Sequence, residues 1–322
     1  MHANRTSRFA FIAVALASSC ATAQVPADLE DRLKAIGRVI NPPATAALYA
    51  PRALEAEPYA RVKVERDIMY GPDVRNLLDV FSAGDAATGP RPVLVFVHGG
   101  AFVAGNRRLA ATSPFYDNVM LWAVRHGMTG VNISYRLAPQ NPWPAGPVDV
   151  GSALRWVHEQ IAARGGDPRQ VYLLGHSAGA THVAAYVAHP AFHKVPGAGI
   201  AGALLLSGIY RVTPELVAGN ATYPGYYGTD PTQYAERSSV AGLIATTVPL
   251  WVGTAELDPP LFEQQALDLK DALCAAGKCP AFARFAGHGH MSEAYSIHTA
   301  DQSVGNAMRG FIRAHAATAP AP

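Results

Sequence analysis

Between about Val62 and Phe311, short apolar runs alternate with stretches whose apolar positions recur at helical spacing. RVKVERDIMY, from Arg61 to Tyr70, alternates apolar and polar residues at period two, which predicts a half-buried strand. LLDVFSAG, starting at Leu77, is a second short strand candidate, and PVLVFVHGG and TGVNISYRLAP are β-branched runs ended by turn residues. QVYLLG, IAGALLLSG and TVPLWVGTAE are continuous apolar runs, the kind buried on both faces of a parallel sheet. Helical patterns lie between them. DVGSALRWVHEQIAARGG stops at Gly165-Gly166, and PLFEQQALDLKDALCAAG follows the last of these runs. Early antiparallel strands followed by strand–helix units predict an α/β fold, with a mostly parallel central sheet and helices on both faces.

Two segments break the alternation. Residues 24–60 precede the first strand and are rich in Ala and Pro, and residues 211–243 hold NATYPGYYGTDPTQY, crowded with Tyr, Gly and Pro. Inserts after strands of such sheets often cover a site at the strands' C-terminal ends, so both are expected to form a small cap on a domain spanning residues 61–315. The tail, residues 316–322, is expected to be disordered.

The N-terminus changes the compartment. Arg5 and Arg8 precede the apolar run FAFIAVALA, and Ala21-Thr22-Ala23 supplies small residues for cleavage, so residues 1–23 read as a secretory signal peptide. The run is too short to span a bilayer. Cys20, in ASSC, raises the alternative of a bacterial lipoprotein anchor, although Ala17 stands where Leu is usual. A periplasmic or secreted protein is therefore expected. Without residues 1–23 the chain carries 26 − 2 = 24 basic side chains against 24 acidic ones. No basic stripe or charge run remains, which argues against nucleic acid or an anionic membrane as partner. Cys274 and Cys279, five residues apart in DALCAAGKCP, read as one local disulfide in an oxidising compartment, and zinc would require further ligands at short spacing.

Chemistry gathers at the strand ends. Gly175-His176-Ser177-Ala178-Gly179 places one serine on a turn between a buried strand and a helix, with small neighbours where the backbone is crowded. That geometry lifts Ser177 clear of the sheet at a helix N-terminus, where developing negative charge is favoured, and makes it the candidate nucleophile. FVHGGAFVAG ends an earlier strand and offers unobstructed backbone N–H groups for an oxyanion. Gly100 and Ala101 are the expected donors, joined by the N–H of Ala178, while Gly99 serves the turn and His98 a structural hydrogen bond. VGTAELDPP offers Glu256 and Asp258 as the acid, and FAGHGHMSEAY offers His288 and His290 as the base. The order Ser, acid, His is that of α/β-hydrolases.

From about Pro92 to His290 the chain resembles the α/β-hydrolase superfamily, in its esterase branch related to hormone-sensitive lipase and to bacterial carboxylesterases of the feruloyl-esterase-like type. VFVHGGAF, ISYRLAPQNPWPAGPVDVGSALRWV, GGDPRQVYLLGHSAGA, TAELDPP and GHGHMS carry the likeness. The resemblance implies Ser177 as nucleophile, Asp258, followed by Pro, as acid, and a histidine of GHGH as base. His290, directly before an apolar residue, is expected to be that base rather than His288, and Asp149 is expected to be structural. It implies hydrolysis of short-acyl or aryl carboxylic esters, with no metal or organic cofactor. Relatives usually carry a third Gly where Ala101 stands, and the histidine motif is also similar to that of bacterial arylformamidases, which hydrolyse an N-formyl amide with the same triad. A non-catalytic binder on the fold is the remaining alternative, but such proteins usually lose a triad member. Tyr223, Tyr226, Tyr227, Phe102 and Trp143 are candidates to line an apolar acyl or aryl pocket.

Overall fold

A computed structural model describes residues 25–52, 54–84 and 89–316. The expected signal peptide, Cys20 and nearly all of the tail lie outside them. Eight strands form one sheet: β1 Val62–Met69, β2 Leu77–Ala83, β3 Arg91–Val97, β4 Thr129–Ile133, β5 Gly166–His176, β6 Gly202–Leu206, β7 Leu250–Leu257 and β8 Ala281–Gly289. Their spatial order is β1-β2-β4-β3-β5-β6-β7-β8. β2 runs antiparallel to both β1 and β4, and every pairing from β4 to β8 is parallel. The expected mostly parallel sheet with an early antiparallel hairpin is the one observed.

Period-two geometry explains why the central runs are apolar throughout. Leu94, Phe96, Tyr172, Leu174, Leu204 and Leu206 point to one face and enter one core. Their neighbours Val93, Val95, Val171, Leu173, Ala203 and Leu205 point to the other face and enter a second core. The first core is closed by helices Ala27–Ile36, Asp117–Arg125 and Ser303–Ala316. The second is closed by Ala145–Gln160, Ala178–Ala188 and Pro260–Ala275. The sequence pattern had marked the strands more clearly than helix Asp117–Arg125, because eight of that helix's residues are buried and its polar face is too narrow to show a period. β1, at the edge, is half exposed and keeps its alternation.

A third apolar cluster sits above the C-terminal ends of the strands. It joins Phe102, after β3, to Leu216, Tyr223, Tyr226, Tyr227 and Tyr234 of the 211–243 insert. That insert folds as short helices, including Pro214–Ala218 and Tyr223–Tyr227. The N-terminal segment packs beside the same end: Arg38 donates to the backbone oxygen of Asp258 at 2.7 Å and to Glu263 at 2.5 Å. Among the described residues, no helix is long and apolar enough to cross a membrane.

Cys274 and Cys279 form a disulfide that closes the end of helix Pro260–Ala275. The loop it closes is short, with a sequence separation of 5. Replacing both cysteines by serine is therefore expected to lower the unfolding free energy by only about 2 kcal/mol, the entropy gain of so small a loop. Denaturant melts of the two proteins check this, and a loss several times larger would mean the bridge also holds native packing together.

Candidate active site

The strand ends converge on one cavity of about 560 Å³. Ser177 follows β5 directly and begins helix Ala178–Ala188 with φ 57° and ψ −125°, a left-handed conformation that a non-glycine residue rarely holds. The turn is held by the Ser177 N–H, which donates to the Leu206 oxygen at 2.8 Å. It also explains the flanking glycines. A Cβ on Gly175 would come within 2.4 Å of the Gly179 oxygen, and one on Gly179 within 2.0 Å of the Val97 oxygen. The strained turn can thus form only where both neighbours lack side chains.

The loop after β3 faces this serine. Gly100 has φ 133°, and a Cβ there would strike the Ala104 oxygen at 2.1 Å; Ala101 and Phe102 also have positive φ, at 50° and 69°. The Gly100 carbonyl is occupied by the N–H groups of Val103 and Ala104 at 3.1 and 2.9 Å. No backbone hydrogen bond among the described residues uses the N–H groups of Gly100, Ala101 or Ala178, and all three residues line the cavity with Ser177. His98 lies behind the loop, with Nδ1 2.6 Å from the Gly99 oxygen and its ring stacked on Tyr135 at 4.4 Å. Burial lowers it to about 3, so it stays neutral.

The acid and the two histidines separate cleanly. Asp258 directly follows β7 and accepts the Nδ1–H of His290 on Oδ1 at 2.7 Å. Its Oδ2 accepts from Thr254 Oγ1 at 2.8 Å and the Ala255 N–H at 2.9 Å, and lies 2.6 Å from Ser207 Oγ. Burial alone would raise this carboxyl. The hydrogen bond and charge of His290, then Ser207 and the Ala255 N–H, outweigh burial and hold it below the ordinary aspartate value. His290 Nε2 is buried without a hydrogen-bond partner among the described residues, and the residue lines the cavity beside Ser177. Glu256 is directed elsewhere, accepting from the Gly287 N–H at 2.8 Å. His288 is held in a different pocket, with Nδ1 3.0 Å from Ser292 Oγ, Nε2 2.6 Å from Ser303 Oγ and Asp301 at 3.5 Å. Burial keeps it below its ordinary value.

His176, inside the glycine turn, hydrogen-bonds the His290 backbone oxygen through Nε2 at 2.8 Å, tying the turn to the histidine loop. Burial, aided by the nearby His290, lowers it to about 3. Asp149 pairs with Arg136, accepting from the side chain at 2.8 Å and from its backbone N–H at 2.9 Å, and does not line the cavity.

The aromatic lining differs from expectation. Phe102 and Tyr223 line the cavity, but Tyr226, Tyr227 and Trp143 do not. Tyr226 stacks on Phe102 at 4.0 Å and contacts His182 Nδ1 with its hydroxyl at 3.1 Å, while Tyr227 is wholly buried beside it. Trp143 packs on Phe192 and His189 beneath the insert. These rings fill the seam between insert and sheet domain, Tyr226 and Tyr227 buried and Trp143 half-buried, rather than facing the cavity. The cavity is completed instead by Ile40 and Pro42 of the N-terminal segment, Leu109, Phe262, Met291 and Tyr295. Sequence reading missed Ser207 and Glu293, which lie below Asp258. The position of Ser207 at the end of β6, in LLLSG, matched those of Ser177 and Asp258 on their strands and was the available signal. Among the described residues, no group of three or more His, Cys, Asp or Glu is placed to hold a metal ion.

The sheet order and the strand-end site define an α/β-hydrolase. Residues 94–293 match the alpha/beta hydrolase fold family, and the chain belongs to it. It is 33% identical over 229 residues to Esterase LipQ of Mycobacterium tuberculosis, an overlap covering 66% of this chain and 53% of LipQ. It is 33% identical over 207 residues to para-nitrobenzyl esterase of Bacillus subtilis, covering 58% of this chain and 40% of that one. The matched part thus spans about half the length of these relatives, or less. Among solved structures, Esterase B from Lactobacillus rhamnosis superposes with a TM-score of 0.71 at 16% identity, covering 85% of this chain and 92% of that one. A bacterial heroin esterase does so with a TM-score of 0.66 at 22% identity, covering 88% and 97%. At these identities the likeness is one of fold.

Proposed function

We propose that the protein is a serine carboxylic-ester hydrolase acting through an acyl-enzyme. The observation that carries this reading is the buried Asp258–His290 pair, whose free Nε2 opens on the cavity that Ser177 lines. In the proposed reaction, His290 Nε2 takes the Ser177 hydroxyl proton as Oγ attacks the acyl carbon. Asp258 holds the tautomer with the proton on Nδ1 and stabilises the imidazolium that forms. The N–H groups of Gly100, Ala101 and Ala178 donate to the developing oxyanion from positions already in place. The imidazolium then protonates the departing alcohol, and a water deprotonated by the same histidine releases the acid. The names of LipQ and para-nitrobenzyl esterase support an ester as substrate.

The cavity is of ordinary small-ligand size and mostly apolar, walled by Phe102, Tyr223, Phe262 and Leu109. It suits a short acyl or aryl ester taken up whole. Across p-nitrophenyl esters of rising acyl length, kcat/KM is expected to peak at short chains, and a maximum at palmitate or longer overturns the size reading. N-formylkynurenine in the same panel separates ester from formamide hydrolysis. A serine-directed organophosphonate should label Ser177 and abolish activity in step, and a label mapped to another residue removes the proposal. The Cys274–Cys279 bridge supports function outside the reducing cytoplasm, in the periplasm or medium. Cell fractionation with N-terminal sequencing, expected to find a chain starting near Gln24, tests that placement.

A further inference from the structure

Beneath the Asp258–His290 pair lies a second carboxyl group that the proposed reaction does not use. Glu293, in the short helix Ser292–Tyr295, is fully buried and does not line the cavity. Its Oε2 lies 2.6 Å from Ser207 Oγ, and the same Oγ lies 2.6 Å from Asp258 Oδ2. Ser207 is fixed there, buried at the end of β6 with φ 51° and its N–H donated to the Gly253 oxygen at 3.0 Å.

One hydroxyl proton cannot serve two carboxylates. A serine hydroxyl donates once, so a second carboxylate oxygen at 2.6 Å would meet only its lone pairs. The contact is attractive only if one of the two acids carries a proton and donates it to Oγ. Asp258 is the poorer holder, since His290, Thr254 and the Ala255 N–H already donate to it. Glu293 has no such compensation: its Oε1 has no hydrogen-bond partner among the described residues. Burial, and then the charge of Asp258, raise its carboxyl well above the ordinary value, against the smaller opposing effect of Ser207.

We infer that Glu293 is a neutral carboxylic acid and a positioning residue: its O–H donates to Ser207 Oγ, whose O–H donates to Asp258 Oδ2, fixing the carboxylate that orients His290. This rests on the hydrolase reading above. Each donor in the chain polarises the next, so the protonated acid strengthens the Ser207 bond to Asp258 without adding a charge beside the imidazole. An ionised Glu293 would instead repel Asp258 and turn the serine hydroxyl toward itself. The other titratable groups at this point are few. Tyr210, after β6, accepts the Gly208 N–H at 3.1 Å, with burial holding its hydroxyl above the ordinary value; His290 bonds Asp258, and His176 bonds the His290 backbone oxygen. Helix Pro42–Tyr49, packed on Ser292–Tyr295, contributes Tyr49, whose hydroxyl donates to Asp301.

The test compares Glu293→Gln, Glu293→Leu and Ser207→Ala in the full-length protein. The Gln amide N–H can donate to Ser207 as the neutral acid does, so Glu293→Gln should keep most of kcat. Glu293→Leu and Ser207→Ala should each lower kcat by roughly 10- to 100-fold, the scale of one hydrogen bond to a charged group, with KM little changed. The acid limb of the kcat/KM profile should stay in place in Glu293→Gln. Were Glu293 ionised, removing its charge from beside the Asp258–His290 pair would move that limb to lower pH, and such a shift overturns the inference. So does Glu293→Leu with wild-type kcat. An infrared difference spectrum, wild type minus Glu293→Gln at neutral pH, should show the carbonyl band of a protonated carboxylic acid, and its absence is equally fatal. That band is read without any substrate. A wild-type protein inert on every ester would therefore sink the esterase reading while the protonation of Glu293 is still measured.

Discussion

Ser177→Ala is expected to lower kcat for short-acyl esters by roughly 10⁴–10⁶-fold while KM stays near its wild-type value. In the proposed mechanism the hydroxyl oxygen is the atom that forms the acyl bond, and no neighbour can replace it. The cavity walls, Phe102, Tyr223 and Phe262, are untouched by the change. The fold should also survive. Alanine occupies the left-handed turn at much the same cost as serine, and among the described residues no hydrogen bond ties the Ser177 side chain to the rest of the protein. Residual rate above water would come from the N–H groups that remain at Gly100, Ala101 and Ala178. Steady-state kinetics on a purified, folded variant decides the matter. Retention of more than about one per cent of kcat would place the nucleophile elsewhere.

The second large effect distinguishes two histidines that are only one residue apart from being neighbours. His290→Ala is expected to cost roughly 10⁴–10⁶-fold in kcat, because it removes both the proton acceptor and the partner of Asp258. It also leaves a buried carboxylate without its main hydrogen bond, so some loss of stability should accompany it. His288→Ala should behave differently. Its imidazole is spent on Ser292 and Ser303, with Asp301 beyond, and it does not line the cavity. Losing those bonds should lower the unfolding free energy by about 1–3 kcal/mol, with kcat falling far less than in His290→Ala. Kinetics and thermal melts of both variants give the answer, and a dead His288→Ala beside an active His290→Ala reverses the assignment.

Both predictions begin from residues that were legible in the chain before it was folded. The turn around Ser177 could be read because its requirements are local: a strand end, a helix start, and glycines where Cβ atoms would strike Gly179 and Val97 backbone oxygens. The parallel core was legible for a similar reason. Strands covered on both faces need unbroken apolar runs, and β3, β5, β6 and β7 have them. The Cys274–Cys279 pairing needed only closeness in sequence. The cavity wall was less accessible. Tyr226, Tyr227 and Trp143 carry the composition of a pocket, yet the two tyrosines are buried in the seam under the insert and Trp143 is half-buried there. Leu109 lines the cavity from a segment with no pattern to announce it, and Ile40 lines it from the 24–60 segment, where composition marked the segment but not the residue.

Local spacing along the chain therefore determined the sheet, the serine turn and the set of candidate acids and bases. It could not choose between Glu256 and Asp258, or gather Ser207 and Glu293 beneath the chosen acid. Those pairings join strand ends far apart in sequence, β6, β7 and the turn after β8, and they exist only once the parallel register sets those ends side by side. Register also turns Asp258 toward His290, while Glu256, two residues earlier, reaches the Gly287 N–H. A carboxylate takes its role from the donors and charges that surround it in space, and only the packed sheet brings those into reach.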